Sequence, residues 1–188
     1  MCIGYRNVLV THIDVEKSAS YSGMVPGCIA GMYNPEDTLI HLDPLAKWAG
    51  IDFFNDRVVD IDIDQNLICL EGNVDNPIPF DAISVDIGSA SRGLHDTKGA
   101  DRFTIPTRPI SDLVSRLEAA TKEIAKHPQQ PVHVVVIGGG AAGIELSMSI
   151  MGRWKPILGK DNVHVTLLDS GSELLPDDTP ANREALLQ

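Results

Sequence analysis

The segment that most constrains how this chain can fold is a glycine-rich turn, Gly138-Gly139-Gly140-Ala141-Ala142-Gly143, which contains the pattern G-x-G-x-x-G. The apolar run Val132–Ile137 precedes the turn and predicts a strand in the middle of a parallel sheet. A helix is predicted after the turn, over about Ala141–Trp154, and a second strand over Val163–Leu168. In this strand–turn–helix–strand context the glycine pattern indicates dinucleotide binding rather than an ordinary loop.

Each glycine of the pattern has a distinct predicted role. Gly138 allows the tight turn, Gly140 removes a side chain where a pyrophosphate must approach, and Gly143 lets the helix pack closely on the strand. The phosphate charge would lie at the helix N-terminus, where free N–H groups and the helix dipole favour an anion. The alternative is a glycine turn that only packs and binds nothing.

Two acidic residues complete this predicted site. Asp169 follows the second strand directly, so its carboxylate is placed to hydrogen-bond a ribose diol and to repel a 2′-phosphate, which favours NAD over NADP. It lies 26 residues after Gly143, beyond the usual spacing of about 20 residues, and the segment Gly152–Asn162 is therefore predicted to be a small insertion. Glu145 is either a partner of the helix dipole or a residue that points at the nicotinamide, and the spacing leaves both open.

The sequence before the glycine turn predicts five strands and two helices. The predicted strands are Val8–Ile13 (ending at Asp14), Ile51–Phe54, Arg57–Asp64, Asn66–Leu70 and Phe80–Ile87, the middle three of them forming an antiparallel meander. One helix is predicted to start with Asp43 as N-cap and Pro44 at the first position, and another covers Pro109–Lys126. The segment Tyr21–Tyr33 is rich in Gly and Pro yet apolar, which favours buried or ligand-facing backbone.

Charge and cysteine content narrow the possible functions. With 15 Lys and Arg against 26 Asp and Glu, the net charge of −11 argues against nucleic acid and anionic lipid as partners. The cysteines Cys2, Cys28 and Cys69 form no Cys-x-x-Cys or Cys-x4-Cys pair, which excludes a local redox disulfide. No histidine spacing indicates a metal site. No transmembrane segment and no signal peptide are predicted, so a cytoplasmic location is expected.

Several segments resemble one family of flavoproteins. Gly138–Glu145 resembles the NADH-binding half of pyridine nucleotide-disulfide-type reductases, and Phe80–Ser89 resembles the strand that ends their flavin domain. Ile105–Ile110 resembles the connection between their two nucleotide domains. The loop Tyr21–Gly27 with Ala30–Tyr33 is similar to that of type II NADH dehydrogenase-like members. The subgroup that is fused to selenophosphate synthetase is the closest match.

The same resemblance makes the chain look truncated at both ends. Members of the family begin with their own glycine turn for the FAD pyrophosphate, and nothing before Val8 matches it. Only 19 residues follow Asp169, fewer than another βαβ unit needs. The family's Thr before the glycine of the flavin-domain strand is Ile87 here.

The resemblance implies an α/β fold, an incomplete Rossmann-like flavoprotein reductase with two dinucleotide-binding domains and an antiparallel β-meander. Residues 1–110 would form a partial FAD-binding domain, 111–131 a connecting helix and linker, and 132–188 a partial NAD(H)-binding domain. FAD and NAD(H) are the implied cofactors. Hydride would pass from NADH to the flavin and then to an external acceptor, a small molecule or a quinone, with no catalytic side chain required.

The resemblance also assigns cofactor-binding residues. Those for NAD(H) are Gly138, Gly139, Gly140, Ala141, Ala142, Gly143, Glu145 and Asp169, and those for FAD are Asp14, Gly23, Pro26, Gly88 and Ser89. Asp14 would take the place of the acid on the FAD ribose, with Glu16 as a substitute. The alternative function is that of a truncated, non-catalytic nucleotide-binding protein, which could self-associate through incomplete sheets.

Overall fold

Short strands and helices alternate along the chain in a computed structural model that describes residues 8–91, 93–175 and 178–186. The strands are β1 (Thr11–Asp14), β2 (Ser18–Ser20), β3 (Leu39–His41), β4 (Asp52–Asn55), β5 (Val58–Asp62), β6 (Leu67–Leu70), β7 (Asn73–Pro79), β8 (Val132–Ile137) and β9 (Val163–Leu168). The helices are α1 (Val25–Ile29), α2 (Leu42–Ala49), α3 (Ala100–Phe103), α4 (Ile110–Ile124), α5 (Ala141–Leu158) and α6 (Pro180–Leu186). The predicted α/β fold class is confirmed.

The described residues group into two compact units. The first unit contains the residues up to Ser20 together with Leu39–Ser89, and the second contains Tyr21–Thr38 and the residues from Ala90 onward. This division places α4 in the second unit, whereas the predicted domains put it in a separate connecting segment. The predicted boundaries concern cofactor domains, which compactness alone does not test, and they stay a prediction.

The first unit contains parallel and antiparallel strand pairs. β1 pairs in parallel with β4, β2 pairs antiparallel with β3, and β5, β6 and β7 form an antiparallel meander. The prediction that Ile51–Phe54 belongs to the meander is therefore wrong, because this segment pairs in register with β1. The third strand of the meander is β7, which contains Pro77 and Pro79 and carried no strand signal.

Two other predictions in the first unit need correction. Asp43 is not the N-cap of α2, because the helix begins one residue earlier at Leu42, with His41 at the cap. Asp43 instead lies in the first turn and pairs with Lys47. Gly50 ends the helix in the left-handed conformation, at φ +70°. The segment Phe80–Ile87 forms no strand, because no strand among the described residues pairs with it, and Ile83, Val85 and Ile87 are exposed.

The second unit has one apolar core, to which three helices and a strand contribute. The buried core residues are Val25, Cys28 and Ile29 of α1, Leu113, Val114 and Leu117 of α4, Ile150, Trp154 and Leu158 of α5, and Val163 of β9. The prediction of buried backbone in Tyr21–Tyr33 therefore holds only for the helical middle of the segment, because residues 21–23 and 31–33 are exposed. The α4 prediction is also confirmed, with its ends two residues or fewer from those expected.

Helix α5 is longer than predicted. It continues through Gly152 and Pro156 to Leu158, so the predicted insertion is mostly the last two turns of the helix. Burial explains this result, because Trp154 and Leu158 are both core residues and offset the helix-breaking tendency of proline. The Trp154 indole N–H donates to the Thr121 hydroxyl at 2.9 Å, and this hydroxyl donates to the Leu117 carbonyl at 2.7 Å.

A charged side chain joins the three helices of this core. Arg153 of α5 makes a two-point ion pair with Glu118 of α4, with Nη2 donating to Oε2 at 3.0 Å. Its Nη1 also lies 3.4 Å from the carbonyl oxygen of Cys28 and 3.3 Å from that of Ile29 in α1. The two charged side chains are only 21% and 24% exposed, so water screens their attraction incompletely.

Removing the Glu118 charge is expected to destabilise the second unit. In Glu118→Gln the Arg153 guanidinium loses its paired charge, and we expect the free energy of unfolding to fall by about 1–3 kcal/mol. Trp154 is 5% exposed and lies in this core, whereas Trp48 of the first unit is 78% exposed, so the fluorescence change on urea unfolding reports mainly the second unit. Glu123→Gln on the same helix removes an exposed pair with Lys126, and should change the free energy of unfolding much less, because water screens this pair. Equal losses in the two variants would contradict this account.

Candidate glycine-turn site

The glycine turn lies at the carboxyl end of a parallel strand pair. β8 and β9 pair in register from Val132 opposite Val163 to Ile137 opposite Leu168. The Gly138 N–H then donates to the Leu168 carbonyl at 2.8 Å, which extends the pairing by one residue. Both strands therefore have the predicted ends, and the turn and Asp169 lie side by side at the same edge. Among the described residues β8 pairs only with β9, and Val135 and Ile137 stay exposed on the face away from the core.

Two glycines make the turn sterically possible. Gly138 has φ +114°, a conformation that residues with a side chain rarely adopt. A Cβ on Gly143 would lie 1.9 Å from the Gly138 carbonyl oxygen. Only hydrogen fits at that position, so the first turn of α5 lies directly against the end of β8. These are the roles that the sequence predicts for Gly138 and Gly143.

The N-terminus of α5 is open to a ligand. The first hydrogen bond of the helix runs from the Ile144 N–H to the Gly140 carbonyl at 3.1 Å, so the N–H groups of the three residues before Ile144 have no partner within the helix. The N-cap residue is Gly140, which has no side chain to accept from them. A Cβ on Gly140 would meet no atom within 4 Å. Ala141 and Ala142 are exposed. The backbone donors, the helix dipole and the free space fit a pyrophosphate.

The Asp169 carboxylate joins the two turns at this edge. Its Oδ1 accepts from the Gly139 N–H at 3.0 Å, and its Oδ2 accepts from the Gly171 N–H at 3.1 Å. The bond from Gly139, followed by that from Gly171, holds the pKa of Asp169 below its ordinary value. Asp169 is therefore ionised at neutral pH and can accept a hydrogen bond from a ribose hydroxyl.

Glu145 is the fifth residue of α5 and is exposed. It therefore lies beyond the first helical turn, where the attraction of a carboxylate to the helix dipole is strongest. This position weakens the dipole interpretation of Glu145. Its possible contact with a nicotinamide stays a prediction.

The residues predicted to contact FAD are divided between the two units. Asp14 ends β1, and its Oδ1 accepts from the Glu16 N–H at 2.8 Å, the same local turn that Asp169 forms with Gly171. Gly88 and Ser89 lie outside the strands and helices of the first unit, with Gly88 at φ +74°. Gly23 lies in a 3-10 turn and Pro26 in α1, both in the second unit. Their joint binding of FAD stays a prediction.

Sequence reasoning missed Gly171 as part of the site. Its N–H is the second donor to Asp169. The run Asp169-Ser170-Gly171 carries a usable signal, because an aspartate often accepts from the backbone N–H two residues later. The bond between Gly139 and Asp169 had no such signal, since it joins residues 30 positions apart in the sequence.

Comparison with known proteins identifies the family. The pyridine nucleotide-disulphide oxidoreductase family matches residues 4–188. The chain belongs to this family. It is a family of flavoproteins that bind FAD and NAD(P)H. The resemblance to the subgroup fused to selenophosphate synthetase stays a prediction, and no curated protein matches the sequence.

Solved structures of oxidoreductases share the fold. NDH2 from Plasmodium falciparum in complex with NADH matches with a TM-score of 0.72 at 14% identity, covering 96% of this chain and 41% of that protein. The sulfide:quinone oxidoreductase of Aquifex aeolicus matches with a TM-score of 0.70 at 18% identity, covering 97% and 43%. The NADH:rubredoxin oxidoreductase of Clostridium acetobutylicum matches with a TM-score of 0.55 at 19% identity, covering 95% and 42%. This chain thus spans about two fifths of the length of these three proteins.

Substitution of two glycines of α5 by alanine should have opposite effects. Gly143→Ala forces its Cβ against the Gly138 carbonyl, and we expect the second unit to lose about 1–3 kcal/mol of unfolding free energy. Gly152→Ala is the matched control, because its Cβ would meet no atom within 4 Å in the helix interior. It should gain up to about 1 kcal/mol. Thermal unfolding measures both, and a Gly143→Ala protein as stable as Gly152→Ala would refute the close packing.

Proposed function

We propose that this chain carries the NADH-binding part of an FAD-dependent NAD(P)H oxidoreductase. The observation that supports this proposal most strongly is the glycine turn between β8 and α5 with Asp169 beside it, because backbone donors and a ribose acceptor occur together there. Membership of the pyridine nucleotide-disulphide oxidoreductase family supports the same function. The ionised Asp169 favours NADH over NADPH, since its charge would repel a 2′-phosphate.

In this proposal the residues of the turn bind and orient the nucleotide. The N–H groups at the start of α5 would donate hydrogen bonds to the negatively charged pyrophosphate, and Asp169 would accept hydrogen bonds from the adenosine ribose. The position of the adenosine half then determines where the nicotinamide half extends. When it is bound, FAD supplies the hydride acceptor, and the chain's own residues align the two nucleotides without an acid or base in the hydride step.

The identity of the electron acceptor is a finer proposal. A small molecule or a quinone is proposed on the basis of the family, and a quinone appears in the name of one structural neighbour, the sulfide:quinone oxidoreductase. No helix among the described residues is long and apolar enough to cross a membrane. Self-association through unpaired sheet edges, and a cytoplasmic location, also remain proposals.

The NADH site is tested by direct titration. We expect wild type to bind NADH in isothermal titration calorimetry, and Gly140→Glu to bind at least about tenfold more weakly, because the new carboxylate would lie near the phosphates. Gly152→Glu is the matched control, since it adds the same charge to the same helix at an open position. It should bind like wild type. Indistinguishable curves for Gly140→Glu and wild type would reject the site.

Reconstitution with FAD decides between the two functions under consideration. After FAD is added and the excess removed, a competent protein should retain the visible absorbance of the flavin, and NADH should bleach it. A protein that binds NADH but retains no flavin would instead be the non-catalytic nucleotide-binding protein. In that case the proposed oxidoreductase activity of this chain would be wrong while its NADH site would stand.

A further inference from the structure

We propose that Asp169 is a positioning residue for the phosphate site, which holds the glycine turn in its binding shape in addition to contacting a ribose. This inference rests on the proposed NADH binding and extends it. A ribose-contacting acid acts on the ligand alone. Asp169 would also act through the protein, by fixing the backbone from which the pyrophosphate donors come.

The Gly139 N–H is the first point of support. Gly139 is buried, and a buried N–H group needs a protein acceptor in place of water. It donates to Asp169 Oδ1 at 3.0 Å. A Cβ on Gly139 would lie 2.7 Å from the Cβ and Cγ atoms of Asp169, so the two residues are in direct contact. The middle residue of the glycine turn is thus fixed by the carboxylate.

The second oxygen of Asp169 fixes the turn on the other side. Its Oδ2 accepts from the Gly171 N–H at 3.1 Å, which closes the turn that follows β9. The carboxylate is therefore itself held in place and cannot rotate freely away from Gly139. A carboxylate has about four acceptor positions, and backbone N–H groups use no more than three of them here, so at least one remains for a ribose hydroxyl. Asp169 can therefore position the glycine turn and accept from a ribose hydroxyl at the same time.

This arrangement divides the backbone donors of the turn. The Gly139 N–H is used within the protein, so the pyrophosphate would be left with the donors from Gly140 onward. These donors follow Gly139 directly in the chain, and their direction depends on the conformation that Asp169 stabilises. Ionisation of Asp169 supports the arrangement, since a carboxylate is a stronger acceptor than a carboxylic acid.

Combining one substitution with one change of ligand separates the contact of Asp169 with the ribose from its positioning of the glycine turn. The substitution is Asp169→Asn, in which an amide NH2 group would face one of the two N–H donors. The ligands are NADH and its analogue lacking the 2′- and 3′-hydroxyls of the adenosine ribose. We expect Asp169→Asn to lower the affinity for both ligands by about fivefold or more, because the turn that binds the pyrophosphate is disturbed.

A spectroscopic measurement accompanies the titrations. The Gly139 and Gly171 amide protons should resonate downfield in the wild-type protein without ligand, and Asp169→Asn should move at least one of them upfield. Asp169→Glu retains a carboxylate and should restore part of the binding, which also covers the case in which the amide variant folds poorly. Asp161→Asn removes an exposed charge from the same unit and should change neither affinity nor these resonances.

The outcomes distinguish this inference from the function on which it rests. If Asp169→Asn weakens NADH only to the level of the analogue and leaves the analogue unaffected, Asp169 acts on the ribose alone. The positioning role is then overturned while NADH binding stands. If the wild-type protein binds neither ligand, the proposed function fails, and the positioning role fails with it.

Discussion

The close contact between the start of α5 and the end of β8 determines the rest of the candidate site. A Cβ at Gly143 would lie 1.9 Å from the Gly138 carbonyl oxygen, so the two segments meet with no side chain between them. This contact places the unpaired N–H groups of the helix at the edge of the sheet where β9 also ends. Asp169 consequently lies close enough to accept from Gly139. A bulkier residue at position 143 would separate the helix dipole from the acid.

The core of the second unit stabilises this contact by holding the C-terminal part of α5 in place. Burial of Ile150, Trp154 and Leu158 fixes α5 over its last three turns, and Arg153 links it to α4 and α1. The helix can therefore leave its N-terminus without a side-chain cap, because its position depends on packing rather than on its own end. In such a fold the donors at the start of α5 are available for a ligand.

Local patterns in the sequence predicted what depends on local chemistry. The largely apolar segments of β8 and β9 predicted the bounds of these strands, and the spacing of Leu113 and Leu117 predicted α4, because period and length are properties of the segment itself. Two of the errors concern strand pairing. Ile51–Phe54 pairs with β1 across 41 residues, and Phe80–Ile87 has strand-like alternation without a neighbour among the described residues. In the site, the glycines were found by their spacing and Asp169 by its position directly after a predicted strand, whereas the bond from Gly139 to Asp169 required the three-dimensional structure.

The central claim is that the pyrophosphate of NADH binds to the backbone at the start of α5. Titration of isotope-labelled protein with NADH, followed by amide chemical shifts, tests it residue by residue. The account predicts that the amides of Gly140, Ala141 and Ala142 shift most, since they are the donors nearest the open position. Saturable binding of NADH with these three amides unchanged would contradict it.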